Sequence, residues 1–140
     1  DVGIVHRDLK TGNIFIASVD DEEVVRVALT DILEMEGLAV TAASSGHEAI
    51  QILKHHTGDA LRLVILDLMM PGMNGIETMH KIRAIKPAIT VVISSGYDEE
   101  EVVDRFQLGQ VDRTDVHFLQ KPYSMAQLTT LVESCLAASG

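Results

Sequence analysis

The sequence predicts an α/β fold, a doubly wound five-stranded parallel sheet with helices on both faces. Short continuous apolar runs rich in β-branched residues, which are typical of buried strands, alternate five times with segments of helical spacing. Buried strands that are joined by helices form parallel sheets covered on both faces. Right-handed crossovers between such strands then produce three layers, with the sheet in the middle.

Five apolar runs are the predicted strands. Each is short and is bounded by polar or glycine-containing segments, as strands in this class of fold are. The predicted strands are Ile14–Val19, Leu38–Ala43, Leu61–Leu66, Ile89–Ser94 and Val116–Gln120. The polar segment Gly109–Asp115, just before the last strand, predicts a loop.

The first two helices are predicted from apolar faces and from the residues that begin or end a helix. Apolar residues between Val24 and Met35 form one wide face, and Gly37 follows as a C-cap. The second helix begins at Ser45, an N-cap with Glu48 as its capping-box partner three residues on.

Three further helices complete the alternation. One runs from Ile76 to Ile85 and is ended by Lys86-Pro87, because the residue before a proline disfavours helical backbone. Another begins at Asp98, where three glutamates follow at the end of the helix that favours negative charge. Ser124 is the N-cap of the last helix.

Composition and charge narrow the class of protein. A chain of 140 residues fits one domain, and a hydrophobic fraction of 46% is typical of a folded globule. A formal net charge of −10 repels phosphates, so no direct nucleic-acid partner is expected. No apolar run reaches membrane-spanning length, no signal peptide is visible, and the single cysteine, Cys135, suits a reducing compartment. We therefore expect a cytoplasmic protein with no membrane partner.

Chemically active side chains follow the predicted strands. Asp20 and Asp21 follow the first strand, Asp67 the third, Ser95 the fourth and Lys121 the fifth. The carboxyl ends of parallel strands meet at one edge of the sheet, where ligands bind in this fold class. Three carboxylates at one edge repel one another unless a cation joins them, and hard oxygen ligands suit Mg²⁺.

Four motifs at these positions resemble the receiver domain of two-component response regulators. They are VDDEE (Val19–Glu23), LDLMMPGMNG (Leu66–Gly75), SSGY (Ser94–Tyr97) and QKPY (Gln120–Tyr123), in the order found in that family. The match extends from about Ile14 to the C-terminus. The resemblance implies the flavodoxin-like receiver fold.

The resemblance also implies the acceptor and the metal site. Asp67 would be the phosphoacceptor. Asp21 would bind Mg²⁺ directly and Asp20 mostly through water. Asp67 itself and the backbone carbonyl of Met69 would complete the protein ligands.

The remaining roles implied by the resemblance concern the switch. The peptide bond between Lys121 and Pro122 would be cis, which would orient the lysine. Lys121 would pair with Asp67 and then with the phosphoryl group. Ser95 would move to hydrogen-bond a phosphoryl oxygen, and Phe118 would turn inward with it. Met69 and Tyr97 would flank the path of the hydrolytic water. Neither side chain orients water as an amide or carboxylate does, so a long-lived phosphoryl group is expected.

The implied function is that of a phosphorylatable signalling switch and not of an enzyme. A histidine kinase or a histidine phosphotransfer protein would donate the phosphoryl group to Asp67. The modified protein would then change the surface made of the fourth predicted helix, the fifth strand and the fifth helix. The downstream effector and the cognate kinase cannot be identified from the sequence.

Two other functions remain open at this point. An aspartate-nucleophile, Mg²⁺-dependent phosphatase would share the acidic strand ends, although such enzymes place their paired acids around the nucleophile itself and carry a cap insertion. A phosphorylation-independent docking module is the other alternative. Failure of acetyl phosphate and Mg²⁺ to add one phosphate would favour the docking module.

The N-terminal segment falls outside the alternation. We expect residues 1–12 to be a tail and residues 13–140 to form the receiver domain. His6–Lys10 together with Asn13 resembles the catalytic loop of protein kinases. The Gly-rich loop, strand lysine, DFG acid and APE segment that a kinase also needs do not occur in the sequence, so kinase activity is not expected.

Overall fold

The fold class predicted from the sequence is confirmed. A computed structural model describes residues 15–19, 31–35, 40–55, 61–70 and 72–139. Within these residues, five parallel strands form one sheet in the order β2-β1-β3-β4-β5. The strands are β1 (Phe15–Val19), β2 (Val40–Ala43), β3 (Leu61–Asp67), β4 (Thr90–Ser95) and β5 (Val116–Gln120).

The helices lie between the strands as predicted, with one addition. Residues 31–35 are helical and are called α1 here. The other helices are α2 (Gly46–His55), α3 (Gly75–Ile85), α4 (Glu99–Phe106), α5 (Gln110–Arg113) and α6 (Met125–Ser139). None of these described helices is long and apolar enough to cross a membrane.

The short helix α5 corrects the prediction of a loop at Gly109–Asp115. The Asp112 carboxylate accepts a hydrogen bond from the backbone N–H of Gly109 (2.9 Å), and the Arg113 N–H donates to the Gly109 carbonyl (3.2 Å). These contacts close one helical turn in a segment that is too short and too polar to show helical periodicity.

Side-chain caps fix where the other helices begin. The predicted N-caps Ser45 and Ser124 are confirmed: Glu48 N–H donates to Ser45 Oγ (3.1 Å) and Gln127 N–H to Ser124 Oγ (3.1 Å). Asp98, where the sequence placed the start of a helix, is also an N-cap and accepts from Glu101 N–H (2.9 Å). The Glu48 carboxylate, predicted to be the capping-box partner of Ser45, accepts instead from the N–H and hydroxyl of Ser44, one residue earlier. At the start of α3, which the sequence placed one residue later, Asn74 and Glu77 form a reciprocal capping box.

Two apolar clusters cover the two faces of the sheet. Alternate residues of β3 point to opposite faces, so Val64 and Leu66 lie in one cluster while Leu63 and Ile65 lie in the other. The first cluster packs against α2, α3 and α4 through Leu53, Met79 and Val102, among others. The second packs against α1 and α6 through Leu33, Leu128, Val132 and Cys135. The sheet is therefore the middle layer of three.

The strand order creates a crevice where the site lies. β1 sits between β2 and β3, so the chain leaves β1 in one direction and later returns on its other side. Ligands bind at such a switch point, outside the carboxyl ends of the strands. Val19, the last residue of β1, pairs with Leu66 of β3. Asp67 is the next residue of β3, so it lies next to the end of β1.

Several predictions concern residues outside the described part of the chain. They include the metal ligands Asp20 and Asp21, the C-cap Gly37 and the tail of residues 1–12. The boundary between tail and domain therefore stays a prediction.

Candidate functional site

The Asp67 carboxylate lies at the carboxyl end of β3. The residue is only 6% exposed. The Leu68 N–H just after it donates to the Ser94 carbonyl of β4 (2.9 Å), which fixes the backbone at this strand end. The sequence placed Asp67 and Ser95 just after their strands. In the structure each is the last residue of its strand, so β3 and β4 extend one residue further than predicted.

Lys121 brings a positive charge to Asp67. Its backbone N–H donates to the Ser95 carbonyl (2.7 Å), so the end of β5 is tied to the end of β4. The Lys121 Nζ lies 3.3 Å from Asp67 Oδ1. The lysine side chain is 31% exposed and the aspartate side chain 8%, so the ammonium keeps contact with solvent while the carboxylate is buried. The Lys121-Pro122 peptide bond is cis, as the resemblance implied.

Ser95 is buried beside this pair, but its hydroxyl is turned into its own loop. The Oγ donates to the Tyr97 carbonyl (2.9 Å) and accepts from the Tyr97 N–H (3.1 Å). Residue Ser94 pairs with Asp67 in the β3–β4 register, so Ser95 lies one position further along the neighbouring strand. The structure thus brings Asp67, Lys121 and Ser95 to one edge of the sheet.

Phe118 lies on β5, half-buried against the first apolar cluster. It lines a surface groove with Glu99, Gln110, Arg113, Thr114 and Val116. An ion pair between Arg113 and Glu99 joins α5 to α4 beside this groove. The α4–β5 surface predicted to respond to phosphorylation therefore includes the short helix α5.

The electrostatics of α5 follow from its capping contacts. The pKa of Asp112 is lowered, chiefly by the backbone N–H of Gly109 and also by the neighbouring His80. His80 Nε2 lies 3.2 Å from Asp112 Oδ1, which connects α5 with α3.

The residues predicted to flank the hydrolytic water differ in exposure. The Met69 residue is 60% exposed, whereas Tyr97 is half-buried and packs against the first apolar cluster. The guanidinium of Arg105, on α4, stacks over the Tyr97 ring, with its carbon 4.3 Å from the ring centre. Tyr97 is therefore held by both its backbone and its ring.

The sequence did not reveal the importance of Gly75. A Cβ at this position would lie 2.6 Å from the Asp67 carbonyl oxygen and 2.9 Å from Leu68 Cα. Both atoms belong to the backbone, so they cannot turn away as a side chain can. The glycine lets the start of α3 approach the strand that carries Asp67. Its place at the end of the LDLMMPGMNG motif was the only signal.

Ser94 was also missed. It is 3% exposed, and its Oγ has no hydrogen-bond partner among the described residues. Its neighbour Ser95 has two such bonds. Sequence offers no way to tell these adjacent serines apart.

The predicted metal site is only partly within the described residues. Asp67 and Met69 are described, and Asp20 and Asp21 are not. In the described part of the chain, no three His, Cys, Asp or Glu side chains are grouped closely enough to hold a metal ion. The donor set named by the sequence, carboxylate and carbonyl oxygens, has the chemistry that Mg²⁺ prefers.

A parallel sheet with a buried aspartate–lysine pair at its switch point is the arrangement expected of a receiver domain, and comparisons with known proteins agree. The sequence model of the response regulator receiver domain family matches residues 16–133. The chain therefore belongs to the response regulator receiver family.

Individual relatives show how far the similarity reaches. The chain is 32% identical over 126 residues to the sensor kinase CckA of Brucella abortus, which covers 90% of the chain and 13% of that protein. It is 31% identical over 124 residues to the transcriptional regulatory protein CpxR of Escherichia coli, covering 89% of the chain and 50% of that protein. The chain thus spans half or less of the length of these relatives.

Solved structures give the same result. A response regulator receiver protein from Sinorhizobium medicae superimposes with a TM-score of 0.74 at 28% identity, covering 92% of this chain and 97% of that chain. Receiver domains are phosphorylatable switches of two-component signalling, are phosphorylated by histidine kinases and use Mg²⁺ in that reaction. As a member of this family the chain is a phosphorylatable signalling switch, which agrees with the first interpretation of its sequence.

Proposed function

We propose that Asp67 is the residue that accepts the phosphoryl group, from a histidine kinase or a histidine phosphotransfer protein. The observation that carries this assignment is the buried Asp67 carboxylate, 3.3 Å from the Lys121 ammonium at the carboxyl ends of the strands. The carboxylate is therefore shielded from bulk solvent and already has beside it a cation that can neutralise the charge of an incoming phosphoryl group.

The chemistry follows from the groups around the carboxylate. An Asp67 carboxylate oxygen attacks the phosphorus, and the bond between phosphorus and the donor imidazole nitrogen breaks as the new bond forms. The Lys121 ammonium lies where it neutralises negative charge that develops on the phosphoryl oxygens. As the phosphoryl group arrives, the Ser95 hydroxyl donates a hydrogen bond to one of these oxygens.

Asp20, Asp21, Asp67 and the backbone carbonyl of Met69 are the proposed ligands of Mg²⁺. All are hard oxygen donors. Asp20 is bonded to Val19, whose pairing with Leu66 places the end of β1 beside the residue that precedes Asp67. A bound Mg²⁺ supplies charge neutralisation for the phosphoryl group.

The phosphorylated site is proposed to act on the surface formed by α4, β5 and α6. The Ser95 hydroxyl leaves Tyr97, and Phe118 turns into the space next to it. A cytoplasmic location belongs to the proposal, because the buried thiol of Cys135 suits a reducing compartment.

Acetyl phosphate and Mg²⁺ provide the test. The donor transfers its phosphoryl group to a carboxylate and releases acetate, and intact mass measures the incorporation. We expect one phosphate on the wild type and none on Asp67→Ala. Asp104→Ala, which removes an exposed carboxylate on α4, serves as the matched control and should behave as the wild type.

Lys121→Ala separates transfer from switching. We expect weak incorporation without the change in the amide signals of α4 and β5 that the phosphorylated wild type shows by NMR. Incorporation into Asp67→Ala as fast as into the wild type would mean that the acceptor lies elsewhere.

A further inference from the structure

The Ser95 hydroxyl is committed to its own loop in the conformation described. A hydroxyl has one proton, and here that proton is donated to the Tyr97 carbonyl at 2.9 Å. Phosphoryl oxygens are acceptors and need the same proton. Ser95 can therefore reach a phosphoryl group only after its bond to the Tyr97 backbone breaks.

Two neighbouring elements hold this loop in place. On one side, β5 contributes the Lys121 N–H bonded to the Ser95 carbonyl (2.7 Å) and a longer contact from Gln120 Nε2 to the Gly96 carbonyl (3.4 Å). On the other side, α4 contributes the Arg105 guanidinium stacked on the Tyr97 ring at 4.3 Å. The ring and the carbonyl that holds Ser95 thus belong to the same residue.

We propose that Arg105 is a positioning residue that, by stacking on Tyr97, stabilises the loop conformation in which the Ser95 hydroxyl is unavailable to the phosphoryl group. The inference rests on the proposed role of Ser95. Arg105 sets how readily the loop releases the serine, and it does so without touching the reacting atoms.

The free energy of a cation–π contact sets how far loss of the Arg105–Tyr97 stack shifts the equilibrium between the two loop conformations. At solvent-exposed positions such stacks shift an equilibrium by roughly two- to fivefold. A population shift toward the released loop increases the fraction of molecules that are competent for phosphorylation by the same factor.

The experiment measures the initial rate of phosphorylation by a low concentration of acetyl phosphate with Mg²⁺, by intact mass, on the full chain. Arg105→Ala should raise the rate roughly two- to fivefold. Arg105→Lys, which keeps the charge and loses the flat guanidinium, should give an intermediate rate. Arg105 is exposed, so these variants should fold normally.

A matched control separates stacking from charge. Lys54→Ala removes one positive charge from an exposed position on α2. Loss of positive charge disfavours an anionic donor, so a charge effect would lower the rate, which is opposite in sign to the proposed effect. We expect Lys54→Ala to match the wild type or to be slightly slower.

The Ser95→Ala background tests whether Arg105 acts through the serine. Without the hydroxyl there is nothing to release, so adding Arg105→Ala should cause no further change. An equal increase in both backgrounds would overturn the inference, as would equal rates for the wild type and Arg105→Ala. If either of these results were obtained and Asp67→Ala still incorporated no phosphate, the role of Arg105 would be refuted and the proposed function would stand. Incorporation of phosphate into Asp67→Ala would refute both the role of Arg105 and the proposed function.

Discussion

Two adjacent serines at the end of β4, Ser94 and Ser95, are both buried but differ in the hydrogen bonds of their hydroxyl groups. Ser95 makes two hydrogen bonds with Tyr97. Ser94 has none with any described residue, and its side chain faces the opposite side of the sheet because neighbours in a strand alternate. A buried hydroxyl without a partner loses its hydration without replacement.

The pair predicts opposite responses to the same substitution. Ser94→Ala should raise the free energy of unfolding by about 1 kcal/mol, because it removes an unsatisfied polar group. Ser95→Ala should lower it by about 1 kcal/mol or more, because the Tyr97 N–H and carbonyl lose their partner. Urea unfolding of the two variants provides the measurement, and each serves as the control for the other. A loss of stability in Ser94→Ala would show that the hydroxyl has a partner after all.

The lifetime of the phosphoryl group is also predicted to depend on single residues. We predict a long lifetime, because Met69 and Tyr97 cannot orient a water molecule for attack. Met69→Asn should shorten it by roughly five- to thirtyfold, the worth of one well-placed hydrogen bond. Met69 is 60% exposed, so the amide loses little hydration there and the fold should tolerate it.

The measurement follows the loss of phosphate from the purified protein after the donor is removed. Met125→Asn, at another exposed methionine in α6, is the matched control and should not alter the decay. Fast decay in the wild type, unchanged by Met69→Asn, would show that these two positions do not govern access of water.

At the scale of elements, the packing of α3 against β3 positions Asp67, the proposed acceptor. Gly75 opens α3, and its N–H donates to the Leu68 carbonyl (2.9 Å). The helix and the strand end therefore approach closely at Asp67, and a side chain at position 75 would push them apart.

Gly75→Ala should destabilise the fold by about 1–3 kcal/mol, as overpacking against fixed backbone does. It should also slow phosphorylation, because the displaced backbone carries Asp67. Gly96→Ala is the matched control: a Cβ there meets no atom within 4 Å, so stability should change by no more than about 0.5 kcal/mol. Thermal melts and acetyl phosphate labelling of both variants provide the comparison. Equal melting temperatures would contradict the close approach at Gly75.

The helix α5 shows what local sequence patterns miss at this scale. Four residues contain too little of a helical period for a pattern to form, and Val111 in this helix is 85% exposed. The turn forms because of the Gly109–Asp112 contact. A hydrogen bond between His80 and Asp112 joins it to α3, and the Arg113–Glu99 ion pair joins it to α4. These partners are distant in sequence.

For the whole molecule, the predicted cluster of Asp20, Asp21 and Asp67 at one edge of the sheet would couple folding to metal binding, because these carboxylates repel one another without a cation. Mg²⁺ at about a hundredfold excess over its dissociation constant should stabilise the folded state by about 2.7 kcal/mol. For a domain of this size, the melting temperature should rise by roughly 5–10 °C.

The rise should vanish in Asp21→Ala and persist in Asp104→Ala, which removes a carboxylate from the exposed face of α4. Differential scanning fluorimetry with and without millimolar Mg²⁺ measures both. The same rise in Asp21→Ala as in the wild type would exclude Asp21 as a ligand.

The sequence by itself determined the fold class, the places of the strands and the motifs at their ends. These features depend on periodicity and on residue types that are local in the chain. Buried parallel strands have a continuous apolar pattern, and N-caps such as Asp98 and Ser124 act within one helical turn.

Only the tertiary structure decided which of these groups touch. Asp67 and Lys121 are 54 residues apart in the sequence, and their 3.3 Å contact depends on the order and register of three strands. Packing between elements also decides three further features. They are the direction of the Ser95 hydroxyl, the stack of Arg105 on Tyr97 and the lack of space for a Cβ atom at Gly75. Such contacts arise when distant segments meet, so no local pattern in the chain encodes them.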